Sequence, residues 1–353
     1  MKNQVMDIIV VGTYTERSAP AVTEYQKLGE GVYLIPYNRK SGVTEGRPLI
    51  VRACNPSWVS VLKNRLFAVC EREDAAEILE YEMRPGESGI EAVEKARLQM
   101  NGKASCHIEV DEKHERIFVS DYGSGDLKVV DISSPGKPKL LQEIYFEGNG
   151  LLPDRQEASH IHSSILCEND LYAADLGCDK IYKFRASGNL LVQEESISTV
   201  SGSGPRHMRI LKRYGRTYLY IVNELDVTIS VYCDGKLCQT ANLTEDRRKE
   251  RLAADLCIMD EKSLYVSVRG SGEIVNFDIG QDGRLKLKQK VLVPGGWLRS
   301  ICSDGIGGHL IVADQVNGKI YIFNRGSEGL LTEGRLLSEI PVPAKVLVEE
   351  IEY

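Results

Sequence analysis

The sequence has no apolar run long enough to cross a membrane, which takes about 18 to 20 residues. Its first seven residues lack the basic and apolar segments of a secretory signal peptide, so we expect no such leader. The formal net charge is −7, and an acidic chain is a poor partner for nucleic acid. We therefore predict that neither a membrane nor a nucleic acid is the partner of this chain.

The nine cysteines are odd in number and show no Cys-x-x-Cys spacing. Several lie within apolar strand patterns, where a thiol behaves as a small hydrophobic side chain: Cys70, Cys106, Cys257 and Cys302. Reduced thiols fit this distribution, and they are typical of proteins in the cytoplasm. We therefore predict reduced cysteines and a cytoplasmic location.

What the sequence does contain is a series of short β-patterned segments. Hydrophobic residues make up 42%, and 32 glycines with many Val, Ile and Tyr residues favour an all-β chain rich in turns. The second strands of successive cycles end at steps of 50, 54, 48, 45 and 46 residues, at Glu71, Asp121, Asp175, Asn223, Val268 and Asp314. Four short strands in about 40 to 50 residues are typical of a propeller blade.

Six complete cycles run from Trp58 to the late 330s, with a fragment at each end of the chain. The N-terminal fragment lacks a first strand, and the C-terminal fragment, 345–351, is a lone strand. Pairing of the two fragments makes a seventh blade and removes the open sheet edges. We predict one domain, 1–353, that is all-β: a seven-bladed β-propeller closed by pairing of the C-terminal strand with the N-terminal blade.

Polar residues gather at one rim of the predicted propeller. Aligned first strands place in one column Trp58, His107, His162, His207, Asp255 and Arg299. The positions after the second strands form another column, Arg72, Tyr122, Leu176, Glu224, Arg269 and Gln315. Because an antiparallel pair brings the start of one strand beside the end of the next, we expect both columns at the same mouth of the channel. Two longer connections, 147–159 and 242–251, should lie over this rim, and we interpret 245–250 as a helical turn.

Structural roles compete with functional ones at single positions. A histidine at a strand start often serves as a hydrogen-bonded structural group, and of His160 and His162 we expect only one to face the channel. Aspartates favour turns, so we expect turn caps at Asp121, Asp175 and Asp314. Histidine and carboxylate suit zinc, but the surrounding arginines argue against a cation, and we predict neither metal nor cofactor. The combined cluster favours function over structure: His162, Arg206, Glu224 and Arg269.

Several short motifs accompany this cluster along almost the whole chain. They are Gly12-Thr13-Tyr14-Thr15, Asn55-Pro56-Ser57, Arg155-Gln156, His160-Ile161-His162-Ser163, Ala174-Asp175-Leu176-Gly177, Gly204-Pro205-Arg206-His207-Met208, Asn223-Glu224-Leu225, Ala254-Asp255 and Arg269-Gly270. In these residues the sequence resembles the seven-bladed propeller lactonases, which include bacterial 6-phosphogluconolactonases of the propeller type and fungal 3-carboxy-cis,cis-muconate lactonizing enzymes. It departs from the family pattern at Leu62-Lys63-Asn64 and Trp297-Leu298-Arg299, which leaves the substrate open.

The resemblance implies an active site at the histidine, arginine, glutamate and second arginine of the cluster, which are His162, Arg206, Glu224 and Arg269. Lactone hydrolysis needs a base that activates water and a cation or donor that holds the oxyanion. We predict Glu224 as the base, with His162 as the alternative base or as the proton donor. The predicted substrate-binding residues are His107, His160, Arg155, His207, Asp255 and Arg299, with Arg251 and Lys345 as further candidates for a phosphate group.

These expectations favour hydrolysis of an anionic sugar lactone, 6-phosphogluconolactone to 6-phosphogluconate in the pentose phosphate pathway, by a monomer or weak homo-oligomer. The arginines suit such a substrate because guanidinium groups bind carboxylate or phosphate in bidentate fashion. The same groups could instead perform the reversible lactonization of a carboxylated muconate. The alternative from another class is a non-catalytic propeller that binds a small anion or a protein.

Overall fold

The computed structural model describes residues 5–19, 22–86, 89–246 and 250–352. Every regular element within these ranges is a β-strand, and no helix there is long and apolar enough to span a membrane. The helical turn expected in 245–250 falls on 247–249, which lie outside the described residues. All nine cysteines are unpaired thiols.

The strands form seven sheets, and each sheet is one blade. Four strands precede the first complete blade: β1 (Val5–Thr13), β2 (Gly31–Asn38), β3 (Val43–Thr44) and β4 (Leu49–Arg52). Blade 1 contains β5 (Trp58–Leu62), β6 (Arg65–Glu71), β7 (Ala76–Gly86) and β8 (Gly89–Met100). Blade 2 contains β9 (Ser105–Asp111), β10 (Arg116–Asp121), β11 (Asp126–Asp131) and β12 (Lys139–Tyr145). Blade 3 contains β13 (Ile161–Cys167), β14 (Asp170–Asp175), β15 (Lys180–Ser187) and β16 (Leu190–Ser198).

Three further blades and one last strand complete the chain. Blade 4 contains β17 (Pro205–Arg213), β18 (Arg216–Asn223), β19 (Thr228–Cys233) and β20 (Lys236–Asn242). Blade 5 contains β21 (Leu252–Met259), β22 (Ser263–Arg269), β23 (Glu273–Ile279) and β24 (Leu285–Leu292). Blade 6 contains β25 (Leu298–Ser303), β26 (His309–Asp314), β27 (Lys319–Arg325) and β28 (Leu331–Glu339), and the chain then enters β29 (Pro343–Glu352).

The seventh blade joins the two ends of the chain, as the sequence predicts. Strand β29 pairs antiparallel with β1 from Val5↔Glu352 to Thr13↔Pro343, and β1 continues to β2 and β4. The short strand β3 is an addition that the sequence pattern did not predict. Because β29 supplies the innermost strand of this blade, the ring closes without an open inner edge.

Local sequence sets the hairpins, and apolar faces hold neighbouring blades together. The loop between β19 and β20 is Asp234-Gly235, with φ of 47° and 77°, the left-handed pair that a two-residue hairpin requires. Blades 4 and 5 share a core in which fully buried side chains of both sheets pack, among them Tyr220, Val222 and Val266. The innermost strands contact one another in a ring that surrounds a central channel: β5, β9, β13, β17, β21, β25 and β29.

Candidate active site

A β-bulge at the start of the innermost strand brings one residue of several blades into the channel mouth. Pairing between first and second strands skips one residue in blades 2, 3, 4 and 6, and the skipped residues are Cys106, His162, Arg206 and Arg299. A bulge leaves the extra residue unpaired and changes the direction of its side chain. All four of these side chains line the same cavity.

This cavity, of about 330 Å³, lies at the mouth that the sequence predicted. Its lining is Glu71, Cys106, Tyr122, Arg155, His162, Arg206, Glu224, Leu252, Arg269, Trp297 and Arg299. All four predicted catalytic residues are therefore brought together, with Arg155 and Arg299 from the predicted substrate-binding set. Four guanidinium groups against two carboxylates leave the lining with an excess of two positive charges.

Glu224 is the centre of the charge cluster. Its Oε1 accepts from Arg155 Nη2 at 2.6 Å, and its Oε2 accepts from Arg206 Nε at 2.8 Å and contacts Arg269 Nη2 at 2.7 Å. Burial alone would raise the pKa of Glu224, but Arg269, Arg155 and Arg206 hold it well below 4.5. A carboxylate that binds three guanidinium groups is a poor proton acceptor, so the geometry does not favour Glu224 as the base.

The backbone before Glu224 explains why the cluster forms at this point. Strand β18 ends at Asn223, and the amide of Glu224 donates to the Gly204 carbonyl at 2.7 Å. Gly204 has φ of 63°, and a Cβ there would lie 2.5 Å from Leu225 Cγ. Glycine is therefore required at this turn, and it places Arg206 on β17 beside Glu224.

His162 faces the cavity as a neutral imidazole. Burial, together with the charge of Arg206 and the neighbouring His207, lowers the pKa of His162 well below 6.5. Its Nδ1 is buried and has no hydrogen-bond partner within the described ranges. Because His162 lines the cavity as a neutral imidazole, which can accept a proton, the geometry favours the alternative in which His162 is the base.

The connection 147–159 carries Arg155 to the cavity. Gln156 is fully buried, accepts from the Leu152 amide at 3.1 Å and donates to the Leu176 carbonyl at 2.8 Å, which fixes the loop. The Arg155 side chain is 38% exposed, so it lies at the entrance. Arg269 and Trp297 also line the cavity, and their Nε and Nε1 atoms are buried without a hydrogen-bond partner in the described part of the chain.

His160 supports the cavity wall and does not line the cavity. Its ring stacks on the Tyr122 ring at 4.3 Å between centroids, and its Nδ1 donates to the Tyr122 carbonyl at 2.8 Å. Tyr122 in turn makes an edge contact with His162, at 5.7 Å between ring centroids. His160 precedes β13 and His162 is the bulge residue of that strand, so the two side chains differ in their surroundings, and of the two only His162 lines the cavity.

The expectation that the whole first-strand column faces one mouth is wrong. His107 and His207 line a second cavity of about 400 Å³, deeper in the channel, together with Lys345. The reason is the bulge, because His107 and His207 each follow the skipped residue and point to the other side. These two histidines, with Trp58, form an aromatic layer whose ring centroids lie 4.2 to 5.8 Å apart.

Asp255 holds this layer together. Its Oδ1 accepts from His207 Nδ1 at 2.9 Å, and its Oδ2 lies 3.7 Å from Lys345 Nζ. Ser300 Oγ also donates to Oδ2, at 3.0 Å. The predicted binding roles of His107, His207 and Asp255 stay predictions, but their contacts place them beneath the first cavity and not in its lining.

Three further sequence-based assignments are corrected. Lys345 lies over the Trp58 ring at 4.0 Å, and Arg251 binds Asp246 at 2.8 Å, so neither lines the first cavity. Asp121 is fully buried and forms an ion pair with Lys128, where the sequence led us to expect a turn cap. Turn capping does occur at Asp175 and Asp314, which accept from backbone amides of the adjoining turns, those of Cys178 and Asn317 among them.

Sequence reasoning missed Glu71, which lines the cavity at the end of β6. In blade 1, β5 and β6 pair without a bulge, and the residue chosen from the sequence, Arg72, turns outward to bind Asp74 at 2.7 Å. Cys106, Leu252 and Trp297 also line the cavity, and the sequence did not indicate them as site residues. In the described part of the chain no three His, Cys, Asp or Glu side chains are grouped to hold a metal ion.

Comparison with known proteins identifies a family for this chain. A family model described as "Lactonase, 7-bladed beta-propeller" matches residues 8–349. The chain is 31% identical to a protein of Formosa agariphila named 6-phosphogluconolactonase over 90% of this chain and 92% of that one, and 25% identical to one of Bacillus subtilis with the same name over 96% and 97%. A solved structure from Bacteroides fragilis, described as a putative 6-phosphogluconolactonase, superposes with a TM-score of 0.82 at 24% identity over 98% of both chains.

Proposed function

The chain belongs to the seven-bladed β-propeller lactonase family, and from this premise we propose that it hydrolyses an anionic sugar lactone, with 6-phosphogluconolactone as the substrate. The relatives named 6-phosphogluconolactonase support the general activity, which is the hydrolysis of a lactone. The observation that carries the finer proposal is the lining of the first cavity, which surrounds a neutral histidine with four arginines.

His162 is the base of the proposed reaction. The neutral His162 imidazole, which lines the cavity, takes a proton from water as the water attacks the lactone carbonyl carbon. The imidazolium that results returns the proton to the ring oxygen as the carbon–oxygen bond breaks, which yields the free hydroxy acid. Because burial and Arg206 disfavour the charged imidazole, proton return is favourable in this surrounding.

Arg206 and Arg269 hold the negative charge that forms on the carbonyl oxygen. Both are nearly inaccessible and both contact Glu224, which fixes their direction. Burial lowers the pKa of Arg269 to about 9, which still leaves it protonated at neutral pH. Donors that are fixed before the reaction stabilise a developing oxyanion without a reorganisation cost.

Arg155 is the proposed contact for the phosphate group. It is the most accessible of the three arginines on Glu224, and it enters from the loop above the cavity. A guanidinium at the entrance suits an anionic group at the far end of the substrate from the reacting ring. Glu224 is then a positioning residue for three arginines, in place of the base that the sequence suggested.

A substrate panel tests this proposal. Initial rates are measured for freshly generated 6-phosphogluconolactone, glucono-δ-lactone and a carboxylated muconolactone, with spontaneous hydrolysis subtracted. We expect the highest kcat/KM for the phosphorylated lactone, and Arg155→Met should raise KM for that substrate alone. Faster turnover of the muconolactone would support the lactonizing alternative. Tight binding of 6-phosphogluconate without turnover of any lactone would support a binding protein.

A further inference from the structure

A second polar group lies in the first cavity, apart from the cluster on Glu224. Tyr14 donates its hydroxyl proton to Glu71 Oε2 at 2.8 Å, and Arg299 Nη2 donates to the same Tyr14 oxygen at 2.6 Å. Glu71 and Arg299 line the cavity, and Tyr14 lies fully buried behind them. The Gly-Thr-Tyr-Thr motif of the sequence therefore supplies the link between two cavity-lining charges.

Tyr14 is held rigidly in this position. Its amide donates to the Val342 carbonyl at 3.1 Å, and its carbonyl accepts from the Gly29 amide at 2.9 Å. The Arg299 guanidinium also lies over the Tyr14 ring, at 5.2 Å from the centroid. Burial raises the pKa of Tyr14 well above 10.0, so the hydroxyl keeps its proton and remains a donor to Glu71.

The two carboxylates of the cavity differ in how far their charge is neutralised. Glu224 contacts three guanidinium groups within 2.8 Å. Within the described ranges, the hydrogen-bond donor to the Glu71 carboxylate is the uncharged Tyr14 hydroxyl. Glu71 is only partly buried, whereas Glu224 is buried. Glu71 is therefore the carboxylate of this cavity that is available to a ligand.

We propose that Glu71 recognises the ring hydroxyl groups of the substrate and that Tyr14 positions it, which makes the cavity selective for polyhydroxylated lactones. This inference rests on the proposed lactonase function. A carboxylate is an acceptor only, so it suits hydroxyl donors, and hydrogen bonds to a charged acceptor are about twice as strong as neutral ones. The same carboxylate repels a lactone that carries carboxylates in place of hydroxyl groups, such as a muconolactone.

Two lactones of the same ring size separate recognition from chemistry. Glucono-δ-lactone carries ring hydroxyl groups, and δ-valerolactone carries none. Glu71→Gln keeps the shape of the side chain and removes its charge. We expect kcat/KM for glucono-δ-lactone to fall by about five- to tenfold, mainly through KM, because a charge-assisted hydrogen bond becomes a neutral one. In the same variant, kcat/KM for δ-valerolactone should stay within about twofold of wild type.

Tyr14→Phe is the second variant, and Asp74→Asn is the matched control. Tyr14→Phe keeps the ring and removes both hydrogen bonds. Like Glu71→Gln, it should therefore reduce the ratio of kcat/KM for glucono-δ-lactone to kcat/KM for δ-valerolactone. Asp74 lies three residues from Glu71 with a side chain 69% exposed, and its replacement should leave the preference unchanged. An equal loss on both lactones, or no change on either, would overturn the assigned role of Glu71.

The proposal can also be tested if the lactonase function is wrong. Should wild type hydrolyse neither lactone, calorimetry compares the Kd of gluconate with that of pentanoate. A five- to tenfold weaker binding of gluconate alone in Glu71→Gln supports hydroxyl recognition, at about 1.4 kcal/mol for each factor of ten. Unchanged gluconate binding in that variant would reject it.

Discussion

Glu224→Gln distinguishes a residue that positions arginines from a residue that removes a proton. The substitution keeps the size of the side chain but removes the negative charge between Arg155, Arg206 and Arg269. Arg206 and Arg269 have side chains only 3% and 6% exposed, whereas Arg155 is 38% exposed and its share is reduced by solvent screening. Removal of one partner from a buried ion pair costs about 3–5 kcal/mol.

This loss should appear as a lower melting temperature. An unfolding entropy of about 2.1 cal/mol/K per residue gives roughly 1.3 °C per kcal/mol for a chain of 353 residues, so Tm should fall by roughly 4–7 °C. The rate of lactone hydrolysis should fall as well, because Arg155, Arg206 and Arg269 lose the carboxylate that they share. Glu195→Gln is the control: its side chain is 63% exposed, its Oε1 lies 3.7 Å from Lys183 Nζ, and we expect no measurable change.

The difference in Tm between wild type and Glu224→Gln should change with pH in a defined direction. The pKa of Glu224 is depressed in the folded protein, so its contribution to stability is fully present above the ordinary value of 4.5 and is lost as the pH falls through the folded value. The Tm difference between wild type and variant should therefore be constant at neutral pH and shrink in acid. An unchanged Tm with a loss of about 10²–10⁴ in kcat would refute this reasoning and restore Glu224 as the base.

Three further expectations follow from the same contacts. The acid limb of kcat/KM against pH should have its midpoint well below 6.5, because burial and Arg206 lower the pKa of His162; a midpoint at 6.5 or above would contradict this lowered pKa. Deletion of 345–353 removes most of β29 and exposes β1, so we expect little soluble protein and no cooperative melting, and a wild-type Tm would contradict the closure. Denatured protein should show nine thiols reactive with a thiol reagent, whereas fewer than nine would contradict unpaired cysteines.

The blades could be predicted from the sequence because their signal is repeated and local. Strand patterns recur every 45 to 54 residues, and the unmatched fragments at the two ends leave one arrangement that pairs both. Glu224 and Arg206 could be placed together because β17 and β18 form one hairpin. The motif spacing therefore located the mouth of the channel and its central charges.

The details of the cavity could not be predicted because they depend on single-residue shifts in strand pairing. A bulge at Arg206 or Arg299 leaves no mark in the alternation of apolar residues, yet it decides which neighbour faces which cavity. The residue that faces the cavity therefore lies one position before His107 in its blade and one position before His207 in its blade. For the same kind of reason the sequence pointed to Arg72, whereas Glu71 lines the cavity. The charge state of Glu224 was likewise hidden, because it depends on Arg155 from a distant loop.

The central claim is that His162 activates water for lactone hydrolysis, and its most direct test is the turnover of His162→Gln on 6-phosphogluconolactone. The imidazole Nδ1 has no hydrogen-bond partner among the described residues, so the fold should tolerate the change with a nearly unchanged Tm. We predict that kcat falls by about 10²–10⁴ relative to wild type, the usual contribution of a general base. Hydrolysis at the wild-type rate by the folded variant would contradict the claim.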